Sequence, residues 1–127
     1  MRKPSASLGF LLVVTLLVAC VADPVFSFAD IEGEWDFPDG AHVSVVATTM
    51  IDIAWTDGAV DYFTYSDGNL DGTRFEGTYT SVENDIETAT NLTVTMTLSL
   101  QDGKLTVSCT GEGPLNGKTF SAGTKVL

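Results

Sequence analysis

The chain of 127 residues holds 17 acidic but only 6 basic side chains, a formal net charge of −11, with 44% hydrophobic residues, 1 histidine and 2 cysteines. That balance excludes nucleic acid as a partner, because phosphate binding runs on clustered Lys and Arg. One histidine excludes a histidine-rich metal site, and two cysteines do not make a disulfide framework.

The N-terminus reads as an export signal. Arg2 and Lys3 supply a positive start, and Leu8 to Ala19 is an almost unbroken apolar run ending in small residues. Twelve helical residues reach only about 18 Å at roughly 1.5 Å each, against a hydrocarbon core of about 30 Å. The run is therefore a signal sequence and not a permanent membrane helix. Its end, Leu17-Val18-Ala19-Cys20, resembles the lipobox of bacterial lipoproteins at all four positions. The resemblance implies cleavage before Cys20, with residues 1–19 as signal peptide, and a membrane anchor through acyl chains on Cys20. Two or three acyl chains, at about 0.8 kcal/mol per buried methylene, suffice for stable anchoring. Val21, where aspartate would retain a protein at the inner membrane, implies the outer membrane or cell surface. The alternative is cleavage by an ordinary signal peptidase after Ala22.

Residues 20–30 then form a tether, with Val25, Phe26 and Phe28 expected to pack on the domain or the bilayer surface. Residues 31–127 form one domain. After Cys20 the only basic residues are Arg74, Lys104, Lys118 and Lys125, so the mature chain carries −13. Such acidity keeps an exported domain soluble. With Cys20 acylated, Cys109 has no cysteine partner.

The domain reads as short alternating strands separated by turns. The first run is Ile31 to Phe37, followed by His42 to Ala47. Met50 to Thr56 leads through Asp57-Gly58 into Ala59 to Ser66, a register that sets Trp55 opposite Val60 and Ile53 opposite Tyr62. Thr73 to Val82 comes next, and Ser81 to Ala89 reads as a polar loop or at most one helical turn. Thr90 to Gln101 and Lys104 to Gly111 flank Asp102-Gly103, which sets Leu100 opposite Leu105, Leu98 opposite Val107 and Met96 opposite Cys109. Asn116-Gly117 turns the chain into Lys118 to Val126. Eight sequential antiparallel strands predict an all-β, up-and-down barrel, with an open meander or β-sandwich as alternatives.

Gly33-Glu34-Trp35 in the first strand resembles the Gly-x-Trp of the lipocalins. There the tryptophan closes the barrel base under a basic side chain from the last strand, a role that Lys118 or Lys125 would take here. The size also fits an avidin-like barrel. Eight strands enclose room for their own side chains or for one small ligand. A pocket would be apolar and lined by Trp35, Trp55, Tyr62, Phe75 and Tyr79; the alternative is that these residues are solid core.

Asp67-Gly68-Asn69-Leu70-Asp71-Gly72 matches the opening of an EF-hand loop, which makes Asp67, Asn69 and Asp71 candidate calcium ligands. The twelfth position is Thr78 and not the bidentate Glu, so a polar hairpin loop is the simpler reading. Glu32, Glu34 and Asp36 line one face of the first strand as a solvated edge, and His42 is a surface residue at a strand end. Cys109 faces Met96 in an acidic, apolar setting that disfavours a thiolate. The residues thus imply no catalytic machinery. Two function classes remain: a lipid-anchored envelope protein whose barrel binds a small apolar ligand, and a structural or protein-interaction lipoprotein with a filled barrel.

Overall fold

A computed structural model describes residues 26–126. Cys20, with the signal peptide and most of the tether, lies outside the described residues. One helical turn, α1 (Phe28–Ile31), precedes eight strands: β1 (Gly33–Asp36), β2 (His42–Ala47), β3 (Met50–Asp57), β4 (Val60–Asp71), β5 (Arg74–Glu83), β6 (Ile86–Gln101), β7 (Lys104–Gly111) and β8 (Thr119–Val126). A single 3-10 turn at Gly113–Leu115 joins the last two. Each strand runs antiparallel to the next, and β8 pairs back onto β1 to close the ring. The up-and-down barrel is therefore the observed fold, and the open meander and sandwich are excluded by that closing ladder.

Period-two alternation explains why the ring forms. Ile51, Ile53 and Trp55 of β3 are buried, as are Val94, Met96 and Leu98 of β6 and Leu105, Val107 and Cys109 of β7, while their neighbours in sequence are more exposed. Each large side chain brought from water contributes roughly 1.5–3 kcal/mol, so closing the ring buries one continuous apolar core.

The Asp102-Gly103 hairpin has the expected register: Leu100 faces Leu105, Leu98 faces Val107 and Met96 faces Cys109. Both turn residues adopt positive φ, 54° and 74°, as a type I′ turn requires. The Asp57-Gly58 hairpin is corrected by one position. Its turn is Gly58-Ala59, with Asp57 paired to Val60, Trp55 to Tyr62 and Ile53 to Thr64. Gly58, at φ 63°, takes the first central position that a type II′ turn reserves for glycine. A shift of two along the partner preserves which residues face inward.

Three further expectations are corrected. Ser81 to Ala89 is strand and not loop or helix: β5 runs to Glu83, β6 starts at Ile86, and Asn84 and Asp85 form the turn at φ 50° and 67°. Asp67 to Gly72 is not a loop, because β4 continues through Asp71 and pairs fully with β5. The long ladder is possible because Gly68 faces Gly77. A Cβ on Gly68 would collide with the Glu76 carbonyl, and one on Gly77 with the Asp67 carbonyl. Finally, the first strand does not begin at Ile31. Asp30 accepts hydrogen bonds from the Ser27 amide (2.9 Å) and hydroxyl (3.1 Å), starting α1, and the first strand opens at Gly33. Phe26 and Phe28 pack against the core as expected.

Up-and-down topology sorts the connections to two ends. α1 and the turns at Thr48-Thr49, Gly72-Thr73 and Asp102-Gly103 share one; the 3-10 turn, Gly58-Ala59 and Asn84-Asp85 share the other.

Candidate functional site

Each end of the barrel carries a tryptophan under a lysine. Lys125 of β8 is in register with Trp35 of β1, its Nζ 5.6 Å from the ring centre. Trp35 is 2% exposed and donates from Nε1 to the Ile31 carbonyl (2.9 Å), and Lys125 reaches the Asp30 carbonyl at 3.4 Å. α1 is thereby fastened over this end. Of the two lysines considered for Trp35, Lys125 takes that place. Lys118 sits over Trp55 instead, also at 5.6 Å, with Asp57 at 3.9 Å.

Trp55 is the centre of the second cluster. Its ring stacks on Tyr62 at 4.8 Å and 10°, a consequence of their pairing across β3 and β4, and meets Phe120 of β8 at 5.7 Å. Tyr79 closes the same end from β5. Its hydroxyl donates to the Glu112 carbonyl (2.5 Å) and accepts from the Leu115 amide (3.2 Å), which holds the 3-10 turn and the buried Leu115 in place. Burial raises the Tyr79 pKa, so the phenol stays a donor. Phe75, fully buried, faces Leu70 on one side and Met96 on the other. Of the five expected pocket residues, Trp55 and Tyr62 form one stack. Trp35 belongs to the α1 end, and Phe75 and Tyr79 are buried on β5.

The inner face of β4 and β5 carries a polar stretch that begins diagonal to Trp55 and runs on opposite Ile53 and Ile51. Thr64, Ser66 and Ser81 are all fully buried. Thr64 faces Ser81 across the β4–β5 ladder and faces Ile53 on β3, to whose carbonyl it donates weakly at 3.4 Å. Trp55 Nε1, Ser66 Oγ and Ser81 Oγ have no hydrogen-bond partner among the described residues. An unpaired buried polar group costs about 1–3 kcal/mol, and native interiors leave few of them. Sequence reasoning missed this wall. The signal was present, since Thr64 and Ser66 share the inward parity of Tyr62 and interrupt an otherwise apolar inner face.

The outer wall carries different chemistry. His42, at the start of β2, lies between two carboxylates of β1, with Nδ1 2.6 Å from Asp36 and Nε2 2.5 Å from Glu34. Both ring nitrogens donate when the imidazole is protonated. The Asp36 contact raises its pKa most, and Glu34 adds to this against a desolvation cost. Asp52 on β3 has a raised pKa from burial and from the charges of Asp67 and Glu34. Phe63 and Tyr65 are exposed on β4, rings 6.0 Å apart.

Asp67, Asn69 and Asp71 are also exposed on β4, at two-residue intervals of roughly 7 Å along a strand. Calcium instead gathers its oxygens to about 2.3–2.6 Å around one point. Among the described residues, no group of three His, Cys, Asp or Glu comes together to hold a metal ion. Cys109 is buried, and burial pushes its thiol up to about 12. Comparison with known protein families, with characterised proteins and with solved structures finds no match.

Proposed function

We propose that the protein is an exported, lipid-anchored component of a bacterial cell envelope whose barrel binds a small, largely apolar ligand and performs no catalysis. The unpaired buried polar atoms of Trp55, Ser66 and Ser81 carry this reading: a folded interior keeps polar atoms where something bonds to them. The Trp55–Tyr62 stack and Phe120 supply an apolar surface next to them, the usual composition of a small-molecule site. The non-catalytic reading draws on two groups. His42, the sole histidine, is engaged with carboxylates on the outer wall, and Cys109 is a buried neutral thiol. The anchor draws on the tetrapeptide ending at Cys20.

Native mass spectrometry of the protein extracted from the membranes of the cells that make it tests ligand binding. An excess mass that disappears on denaturation is expected; a bare polypeptide with its acyl chains removes the reading. Cys20→Ala is expected to move the chain from the detergent phase to the aqueous phase in detergent phase separation, or to leave an uncleaved precursor. Unchanged partitioning removes the anchor.

A second reading has its own support. Trp35, Phe75, Tyr79, Phe120, Met96 and Leu98 are all buried in a short barrel, the packing of a filled scaffold. On that reading the acidic outer wall, with its exposed Phe63 and Tyr65, meets an envelope protein.

A further inference from the structure

The ligand-binding reading, on which this inference rests, leaves open which chemistry the interior recognises. We infer that Trp55, Thr64, Ser66 and Ser81 form the polar end of an internal site for a small uncharged molecule bearing a carbonyl-type hydrogen-bond acceptor. Four features of the wall lead there.

Trp55 Nε1 is a donor only, so whatever satisfies it presents an acceptor. The Ser66 and Ser81 hydroxyls donate and accept, and they complement a carbonyl and a neighbouring N–H or O–H. The occupant is uncharged, because the buried polar residues among those described are the neutral Thr64, Ser66 and Ser81, and Lys118 over Trp55 already faces Asp57. It is also small, because an eight-stranded ring has room for at most one small ligand among its own side chains. Thr64 lies directly across from Ser81, and Ser66 lies diagonal to Ser81, so the three hydroxyls share one face of the β4–β5 ladder. Ile51 and Ile53 of β3, facing Ser66 and Thr64, bound the wall on its apolar side.

The two tryptophans provide an internal control. Trp35 Nε1 is already bonded to the Ile31 carbonyl, whereas Trp55 Nε1 is free of any partner among the described residues. The test is a titration followed by the two indole N–H signals in a nitrogen-proton correlation spectrum. The sample is the chain from residue 20 with Cys20→Ser, which contains every residue of the closed ring. The probes are 2-piperidone, a neutral six-membered ring with a carbonyl, and benzene, a ring of the same size without one.

The expected result is a saturable downfield shift of the Trp55 signal with 2-piperidone while Trp35 stays in place. Replacing both hydroxyls, Ser66→Ala with Ser81→Ala, is expected to weaken that binding by about tenfold or more, as loss of paired polar contacts does. If benzene binds as tightly as 2-piperidone, an apolar interior site stands and the polar recognition proposed here is overturned. If neither probe moves the Trp55 signal, the hydroxyls serve internal water only, and both this inference and the ligand-binding reading fall. A double variant that melts higher and titrates unchanged also overturns the inference.

Discussion

Lys125 stands directly across the β1–β8 ladder from Trp35, its ammonium 5.6 Å from the indole centre, while the same tryptophan bonds the carbonyl of Ile31 beneath α1. One contact thus joins the first strand, the last strand and the helical turn that precedes them. Lys125→Ala removes a cation–π contact of about 0.5–1 kcal/mol at an exposed site. The expected fall in Tm is roughly 4–8 °C per kcal/mol for a domain of this size. Lys125→Arg retains the contact and is expected to melt within a degree or two of the parent. Thermal unfolding followed by tryptophan fluorescence checks both, and equal Tm for Ala and Arg would remove the contact from the account.

His42 makes the fold pH-dependent in one direction. Its folded pKa is raised by Asp36 and Glu34, so the stabilisation is fully present below the unfolded value of about 6.5. It is lost as pH rises through the higher folded value. Melting temperature is therefore expected to fall as pH rises above about 6.5, and His42→Gln to flatten that slope. A parent and variant with parallel profiles would count against the clamp.

Asp52 acts with the same sign from an unfavourable contact. Burial, Asp67 and Glu34 raise its pKa, so its ionisation penalises the native state once pH climbs above the unfolded carboxylate value. Asp52→Asn, which resembles the protonated acid, is expected to raise Tm at pH 7. The advantage should vanish below about pH 4, where the parent carboxyl is protonated too. Denaturation of both proteins across that range measures it.

Cys109 is expected to be chemically silent. With its pKa pushed up to about 12 and 2% exposure, it should resist iodoacetamide at pH 8 in the native state and react in denaturant. Cys109→Ser, which places another hydroxyl in the core, is expected to cost about 1–3 kcal/mol. Native labelling at the denatured rate would show that β7 opens readily.

These outcomes also show which parts of the molecule the chain spells out. The β6–β7 register is legible because Asp102-Gly103 permits one turn and the apolar residues on either side meet only in one phase. Trp35 under a lysine of the last strand was legible as a resemblance, but choosing Lys125 over Lys118 needed the register of β8. The length of the β4–β5 hairpin was hidden because Asp67 to Gly72 carries turn residues at every position but Leu70. Gly68 and Gly77 are there for close backbone approach, which no single strand reveals by itself. The turn at Asn84-Asp85 was hidden for the converse reason, that two non-glycine residues take positive φ. The inner polar wall depends on which strands become neighbours, since Thr64 and Ser81 are distant in sequence and come opposite one another only through the β4–β5 pairing.

The ladders around the ring differ greatly in length. β4 and β5 pair from Asp71 and Arg74 out to Tyr62 and Glu83, whereas β1 and β8 share only the stretch from Glu34 to Asp36 with Thr124 to Val126. The long hairpins join residues close in the chain; the short closing ladder joins its two ends, where loop-closure entropy is greatest. The β1–β8 ladder is consequently the costliest part of the ring to close in chain entropy and the shortest stretch holding it shut. Wherever that short ladder is open, β1 and β8 present unpaired edges of the kind a second chain can capture, so the seam between the two ends of the chain is the point at which the ring is most exposed to strand exchange.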